Sequence, residues 1–114
     1  MATQEKKSRE INRLWEAYGK HMPAVYGACD QLEKAVYEKG VLTCKAKRLM
    51  AVVGALVHGC RACILYQTEA ALAEGATAEE ILEACAVAAS LGGTMGAGET
   101  TRVVALLQEK GLLK

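Results

Sequence analysis

Phenylalanine is absent from this 114-residue chain, proline and tryptophan occur once each, and aromatic residues make up 4% of the total. A β-sandwich wants aromatic and β-branched strands, so that scarcity excludes it, whereas abundant alanine suits thin helices that approach closely. Long apolar runs are missing too. None approaches the ~20 residues that a bilayer-crossing helix needs, so no membrane span is expected. Charge of one sign is also lacking: the formal net charge is +1, and no like-charge run exceeds Lys6-Lys7. Nucleic-acid or acidic-membrane binding therefore has no support from the total charge, although the segment up to Arg48 is basic and the rest mildly acidic. Met1 to Glu10 is polar with no apolar h-region, so no secretory signal is expected and the predicted location is cytoplasmic.

What is present has helical period. Ile11, Leu14, Trp15 and Tyr18 repeat at helical spacing and predict an amphipathic first helix ending near Gly19. Pro23 suits a first helical position, and Val25, Cys29, Leu32 and Val36 form the next apolar stripe, closed by Gly40. Thr43 is the expected N-cap of a third helix, apolar on most sides from Leu49 to Val57 and hence the central buried element, with Gly59 ending it. A fourth helix is predicted from about Cys60 to Glu74, stopped by Gly75. Thr77 and Glu80 make a capping box for a fifth, bearing Ile81, Ala84, Cys85 and Ala88. Gly92, Gly93, Gly96 and Gly98 interrupt the pattern before a last helix, Glu99 to Lys110. With helix rather than strand before them, these glycines read as a tight bend with close helix contact, not as a phosphate loop. The expectation is a single all-α domain, 1–114, of about six helices. A hydrophobic fraction of 52% is more than one such bundle hides, so a homo-oligomer is predicted.

Chemistry concentrates at Cys60-Arg61-Ala62-Cys63. Two thiols three positions apart in a helix's first turn share one side of it, and the unpaired N–H groups there favour a thiolate. The count of five cysteines is odd, arguing for a reducing compartment and against a structural disulfide framework. On the fourth helix, Gln67 lies in the same stripe as Cys60 and Cys63, one turn beyond Cys63. Its amide can donate to a thiolate or accept from a thiol but cannot take up a proton. Arg61 points away from the stripe, yet its charge favours ionisation nearby. His58 could add a third metal ligand, but zinc wants four, and a helix-terminal role complementing the dipole is the reading preferred. No metal is predicted. Cys29 and Cys85 are expected in the core, Cys44 is expected to be unreactive, and Tyr66 and Glu69 are expected to face solvent or a subunit interface.

The stretch Thr43 to Leu82 resembles the core of the carboxymuconolactone decarboxylase and AhpD-like alkylhydroperoxidase superfamily. The resemblance rests on Lys45-Ala46-Lys47-Arg48-Leu49-Met50, on His58-Gly59-Cys60-Arg61-Ala62-Cys63-Ile64, on the Ala70 to Gly75 run, and on Thr77-Ala78-Glu79-Glu80-Ile81-Leu82. It implies an all-helical fold that commonly assembles as trimers or hexamers. In the redox-active branch a histidine four residues after the second cysteine and a glutamate twelve before the first form a proton relay. Here those positions hold Gln67 and Arg48, and Ala62 stands where some members have a further histidine. Only the two cysteines carry over. A fixed positive charge at Arg48 would substitute by stabilising a thiolate, with Gln67 orienting it.

The function expected from the sequence is a dithiol oxidoreductase that reduces a small-molecule peroxide or disulfide. Helix-end electrostatics favour Cys60 as nucleophile, and the family relay favours Cys63. A protein dithiol or lipoyl-type donor would return the electrons; no flavin or nicotinamide fingerprint is visible, so no cofactor is predicted. Two alternatives stand beside this. One is a cofactor-independent decarboxylase of a lactone dicarboxylate, with Arg48, Arg61 and Lys47 as cations for the carboxylates. The other is a non-catalytic assembly protein of the same fold.

Overall fold

Threonines start three of the five helices in the computed structural model, which describes residues 3–114. Thr3 caps α1 (Gln4–His21) by accepting the Lys6 N–H, and Thr43 caps α3 (Cys44–His58) by accepting that of Ala46 at 3.1 Å. Thr77 starts α5 (Ala78–Glu109) with a reciprocal capping box: its hydroxyl accepts the Glu80 N–H while the Glu80 carboxylate accepts the Thr77 N–H at 2.9 Å. That bond from Thr77, with the Lys45 ammonium 3.0 Å away, holds the Glu80 carboxyl below the usual carboxylate range. Pro23 opens α2 (Pro23–Tyr37), and Cys60 caps α4 (Arg61–Ala73). Among the described residues there is no strand, and the fold is all-α.

The helix ends agree with their glycines in two places and not in two others. Gly59 ends α3 in the left-handed conformation at φ 73°, and Gly75 follows α4 at φ 88°. α1, however, runs past Gly19 to His21, because Gly19 is needed for room: a Cβ there would lie 2.5 Å from the Tyr26 ring. α2 ends at Tyr37, ahead of Gly40. Lys47 of α3 donates to the carbonyls of Val36 and Glu38 at 2.8 and 2.6 Å and so satisfies its open end.

The expected fifth and sixth helices are one element with a kink. Only Gly93, at φ 59° and ψ −141°, leaves helical geometry within α5. Gly92 and Gly96 stay helical and serve packing instead. A Cβ on Gly92 would touch the Val57 backbone at 3.4 Å, and one on Gly96 would collide with the Ala88 carbonyl at 2.8 Å. The bend thus folds the two arms of α5 tightly together, and the count becomes five.

α3 is central. Its Val52 and Leu56 are fully buried against Ile64 and Ala71 of α4 and Ile81, Cys85, Ala88, Val103 and Leu107 of α5. By length and composition α5 would suffice to cross a membrane; its bend at Gly93 interrupts that span, and residues of both arms pack on α3. α1 and α2 behave differently. The apolar stripe of α2 faces out, with Val25 42%, Leu32 65% and Val36 47% exposed, and no α2 residue is buried. α2 packs on α1 and on α3 but has no Cα within 8 Å of α4. An open cleft separates them.

Candidate active site

The turn between α3 and α4 builds the centre of this cleft. Gly59 reverses the chain, and Cys60 takes extended geometry as N-cap, so that its sulfur accepts the N–H of Cys63 at 3.2 Å. The two cysteines form a disulfide with a Cα separation of 5.2 Å. They are not equivalent. Cys63 is exposed and lines a cavity of about 530 Å³ between α1, α2 and α4, whereas Cys60 is half-buried and not part of its wall. Alongside Cys63, α4 contributes Ala62, Tyr66 and Gln67; α1 brings Ile11, Trp15 and Glu16; and α2 brings Tyr26, Cys29, Asp30 and Glu33.

Behind this wall runs a polar network that crosses three helices. Arg48 of α3, only 11% exposed, donates to the Gln67 side-chain oxygen at 2.9 Å and lies 3.6 Å from the Glu33 carboxylate. Its guanidinium sits 3.6 Å over the Tyr37 ring, held by the π face. Tyr66 donates its hydroxyl to the same Glu33. Burial first, then the bond to Glu33 and its negative charge, push the Tyr66 phenol up to about 12, so it stays a proton-bearing donor at neutral pH.

Of the residues expected at the site, the fold therefore joins Cys60, Cys63, Gln67 and Arg48. Arg48 reaches Gln67, not the cavity itself. Because the Gln67 oxygen is committed to Arg48, the group it has left for the cleft is its NH2, a donor. His58 is apart: it is the exposed last residue of α3 and does not line the cavity. Cys85 is buried, and burial pushes its thiol up. Cys29 departs from expectation, since α2 turns it to the exposed cleft wall instead of the core.

Tyr66 is exposed, as expected, but within the cavity that Cys63 lines, whereas Glu69 departs from expectation: it binds α1 to the bundle by accepting from the buried Ser8 hydroxyl at 3.1 Å and meeting Lys110 at 3.5 Å. Glu33 is the residue that sequence reasoning passed over. The cleft has its carboxylate, but α2 supplies it from across the gap rather than α3. The spacing of Cys29 and Glu33, one turn apart on one face, was the available signal. Among the described residues no group of three or more His, Cys, Asp or Glu could hold a metal ion.

A CxxC at the start of a helix, in an all-helical bundle around one central helix, defines a class that the sequence comparisons match. Residues 23–106 match the carboxymuconolactone decarboxylase family. The chain belongs to that family. It is 36% identical over 96 residues to an uncharacterised protein of Cupriavidus necator, covering 84% of this chain and 85% of that one. It is 37% identical over 78 residues to uncharacterised protein 4 in the cox locus of Paracoccus denitrificans, covering 68% and 70%. Its fold is that of an apo carboxymuconolactone decarboxylase family protein from Legionella pneumophila, with a TM-score of 0.87 at 24% identity over 93% of this chain and 95% of that one. A crystal structure from Thermotoga maritima matches at a TM-score of 0.73 and 32% identity, covering 95% and 92%.

Proposed function

We propose that this protein is a dithiol oxidoreductase in which Cys63 meets the substrate and Cys60 resolves the product. The observation that carries this reading is the bonded pair Cys60–Cys63 with only Cys63 open to the cavity. In the reduced protein the Cys63 thiolate attacks a peroxide oxygen. The O–O bond breaks, the alkoxide leaves and takes a proton, and Cys63 becomes a sulfenic acid. Cys60 then attacks the Cys63 sulfur, hydroxide leaves as water, and the disulfide forms. With a disulfide substrate the same two attacks release two thiols.

The surroundings support each step. The N–H of Cys63 aimed at the Cys60 sulfur stabilises Cys60 as a thiolate, both as attacking group and as leaving group when the disulfide is reopened. A protein dithiol or lipoyl-type donor would reopen it by attacking exposed Cys63. The Gln67 NH2 faces the charge that develops on sulfur or oxygen, and Arg48 is a positioning residue that acts through Gln67. Tyr66, kept protonated, holds Glu33 in place beside them. The exposed apolar faces of α1 and α2 support assembly with further copies of the chain.

The decarboxylase reading has the family's name on its side but little in the cavity. Its substrate carries carboxylates, and the cations it needs are not in the wall: Arg48 is engaged with Glu33 and Gln67, Arg61 faces a different groove, and Lys47 caps α2.

The test is turnover of an organic hydroperoxide and of a small disulfide. Cys63→Ser is expected to lower both by more than about 10³-fold, as loss of a nucleophile does. Retained activity in that variant would remove the proposal. Arg48→Met should leave the protein folded and shift the pH–rate profile for Cys63 upward, an effect that lost packing alone would not produce.

A further inference from the structure

The wall of the Cys63 cavity is aromatic and carboxylate-bearing, and none of its residues is a cation. Trp15 stacks on Tyr18 with ring centroids 5.3 Å apart and leans on Tyr26 at the same distance, which gives the cleft a π surface opposite the sulfur. Glu16 and Asp30 flank these rings from α1 and α2, and Glu33 closes the inner end.

The balancing cations lie elsewhere. Arg48 sits behind Glu33, and Lys34 pairs with Asp30 from the solvent side, where it is 77% exposed. Among the described residues Glu16 pairs with no cation. Lys6, Lys7 and Arg61 open onto a separate groove that meets this one only at Ile11. Of the three carboxylates only Glu16 is without an ion pair, and the cations that meet Asp30 and Glu33 stand outside the wall; a π surface beside such a wall attracts a cation, accepts an uncharged apolar group and disfavours an anion.

Resting on the redox reading above, we propose that the cleft selects among disulfides and hydroperoxides by charge, admitting cationic and uncharged ones and refusing anionic ones. The chemistry is the exchange already described. Cys63 bonds to one substrate sulfur, the first thiolate leaves, and Cys60 displaces the second, so the dithiol is oxidised as the disulfide is reduced. What is new is which substrates reach Cys63. A disulfide carrying an amine, or a neutral amide-linked one, fits; a dicarboxylate does not.

The experiment uses three disulfides of similar size: cystamine, hydroxyethyl disulfide and dithiodipropionate. The prereduced protein is mixed with each, and its oxidation is followed through the fluorescence of its single tryptophan, Trp15, in the cleft wall. Each rate is divided by that of dithiothreitol with the same disulfide, which removes leaving-group differences. Cystamine is expected to exceed dithiodipropionate by at least about tenfold at low ionic strength, with hydroxyethyl disulfide between them. The ratio should shrink in about 0.5 M salt, where screening is strong. It should also invert or flatten in Glu16→Lys/Asp30→Lys.

A flat or reversed order in the wild type, with oxidation still dependent on Cys63, overturns the charge selection and leaves the redox function standing. Oxidation that survives Cys63→Ser, or no reaction with any of the three, overturns the redox function and the selection with it.

Discussion

Two halves of this molecule are held together by different forces. α3, α4 and α5 share a continuous apolar core in which Val52, Leu56, Ile64, Ile81 and Leu107 are wholly buried. α1 and α2 bury one residue between them, the serine Ser8, and expose Leu14, Trp15, Leu32 and Val36. Polar ties hold α1 in place. The Glu109 carboxylate accepts the N–H groups of Gln4 and Glu5 at 2.9 and 2.8 Å, Lys110 meets Glu5 at 3.3 Å, and Ser8 reaches Glu69. The Cys60–Cys63 pair sits on the first half, and the cleft wall facing it belongs to the second.

The sharpest way to break the contrast is in the core. Leu56→Ala should cost about 2–5 kcal/mol in urea unfolding, as expected for a fully enclosed leucine. Leu32→Ala should change monomer stability by no more than about 0.5 kcal/mol, because that side chain is already 65% exposed. Sedimentation of Leu32→Ala then tells whether this face is covered by another copy; a lighter species is the expected result.

At the bend, Gly93→Ala places a Cβ on a backbone with φ 59° and ψ −141° and should cost about 1–3 kcal/mol. Gly98→Ala, where a Cβ meets open space, is the neutral or stabilising control. Smaller still is the effect of Glu109→Ala, about 1 kcal/mol, near the usual value for a helix N-cap. It should raise amide exchange within α1 well before the core is affected. If α3 exchanges as fast as α1 in that variant, the two halves are not separable.

The finest probe is pH. The Tyr66 phenol is held at about 12 in the folded protein against about 10 in an unfolded chain, so the native state keeps the proton longer. Stability from this residue is therefore complete below pH 10 and lost as pH rises towards about 12. Phenolate absorbance should show one tyrosine ionising late, and Tyr66→Phe should remove that step.

Much of the fold was legible. Thr43, Thr77 with Glu80, Pro23, Gly59 and Gly75 mark helix ends through local chemistry, and each does so in the structure. The dithiol was legible for the same reason, since three residues of separation at a helix start bring two sulfurs together. The glycine run was half legible: the bend and the close contact are real, but which glycine bends depends on where Val57 and the Ala88 carbonyl press. The place of Cys29 was misread. It sits on the apolar stripe of α2 and was expected in the core, yet the cleft and the packing of α1 rotate Tyr26, Glu33 and Tyr37 towards the protein instead.

Composition and spacing by themselves determined an all-helical chain with capped ends and a cysteine pair at the head of one helix, because those features depend on residues within a turn or two of each other. Only the tertiary structure decided that Cys63 rather than Cys60 opens to the cavity, that Glu33 supplies its carboxylate, and that Arg48 reaches it through Gln67. Those partners lie 19 and 33 residues apart in the pairs Arg48–Gln67 and Glu33–Tyr66. Which side chains meet across helices is set by how the helices are rotated and stacked, and local periodicity does not encode that rotation when a helix is left half unpacked.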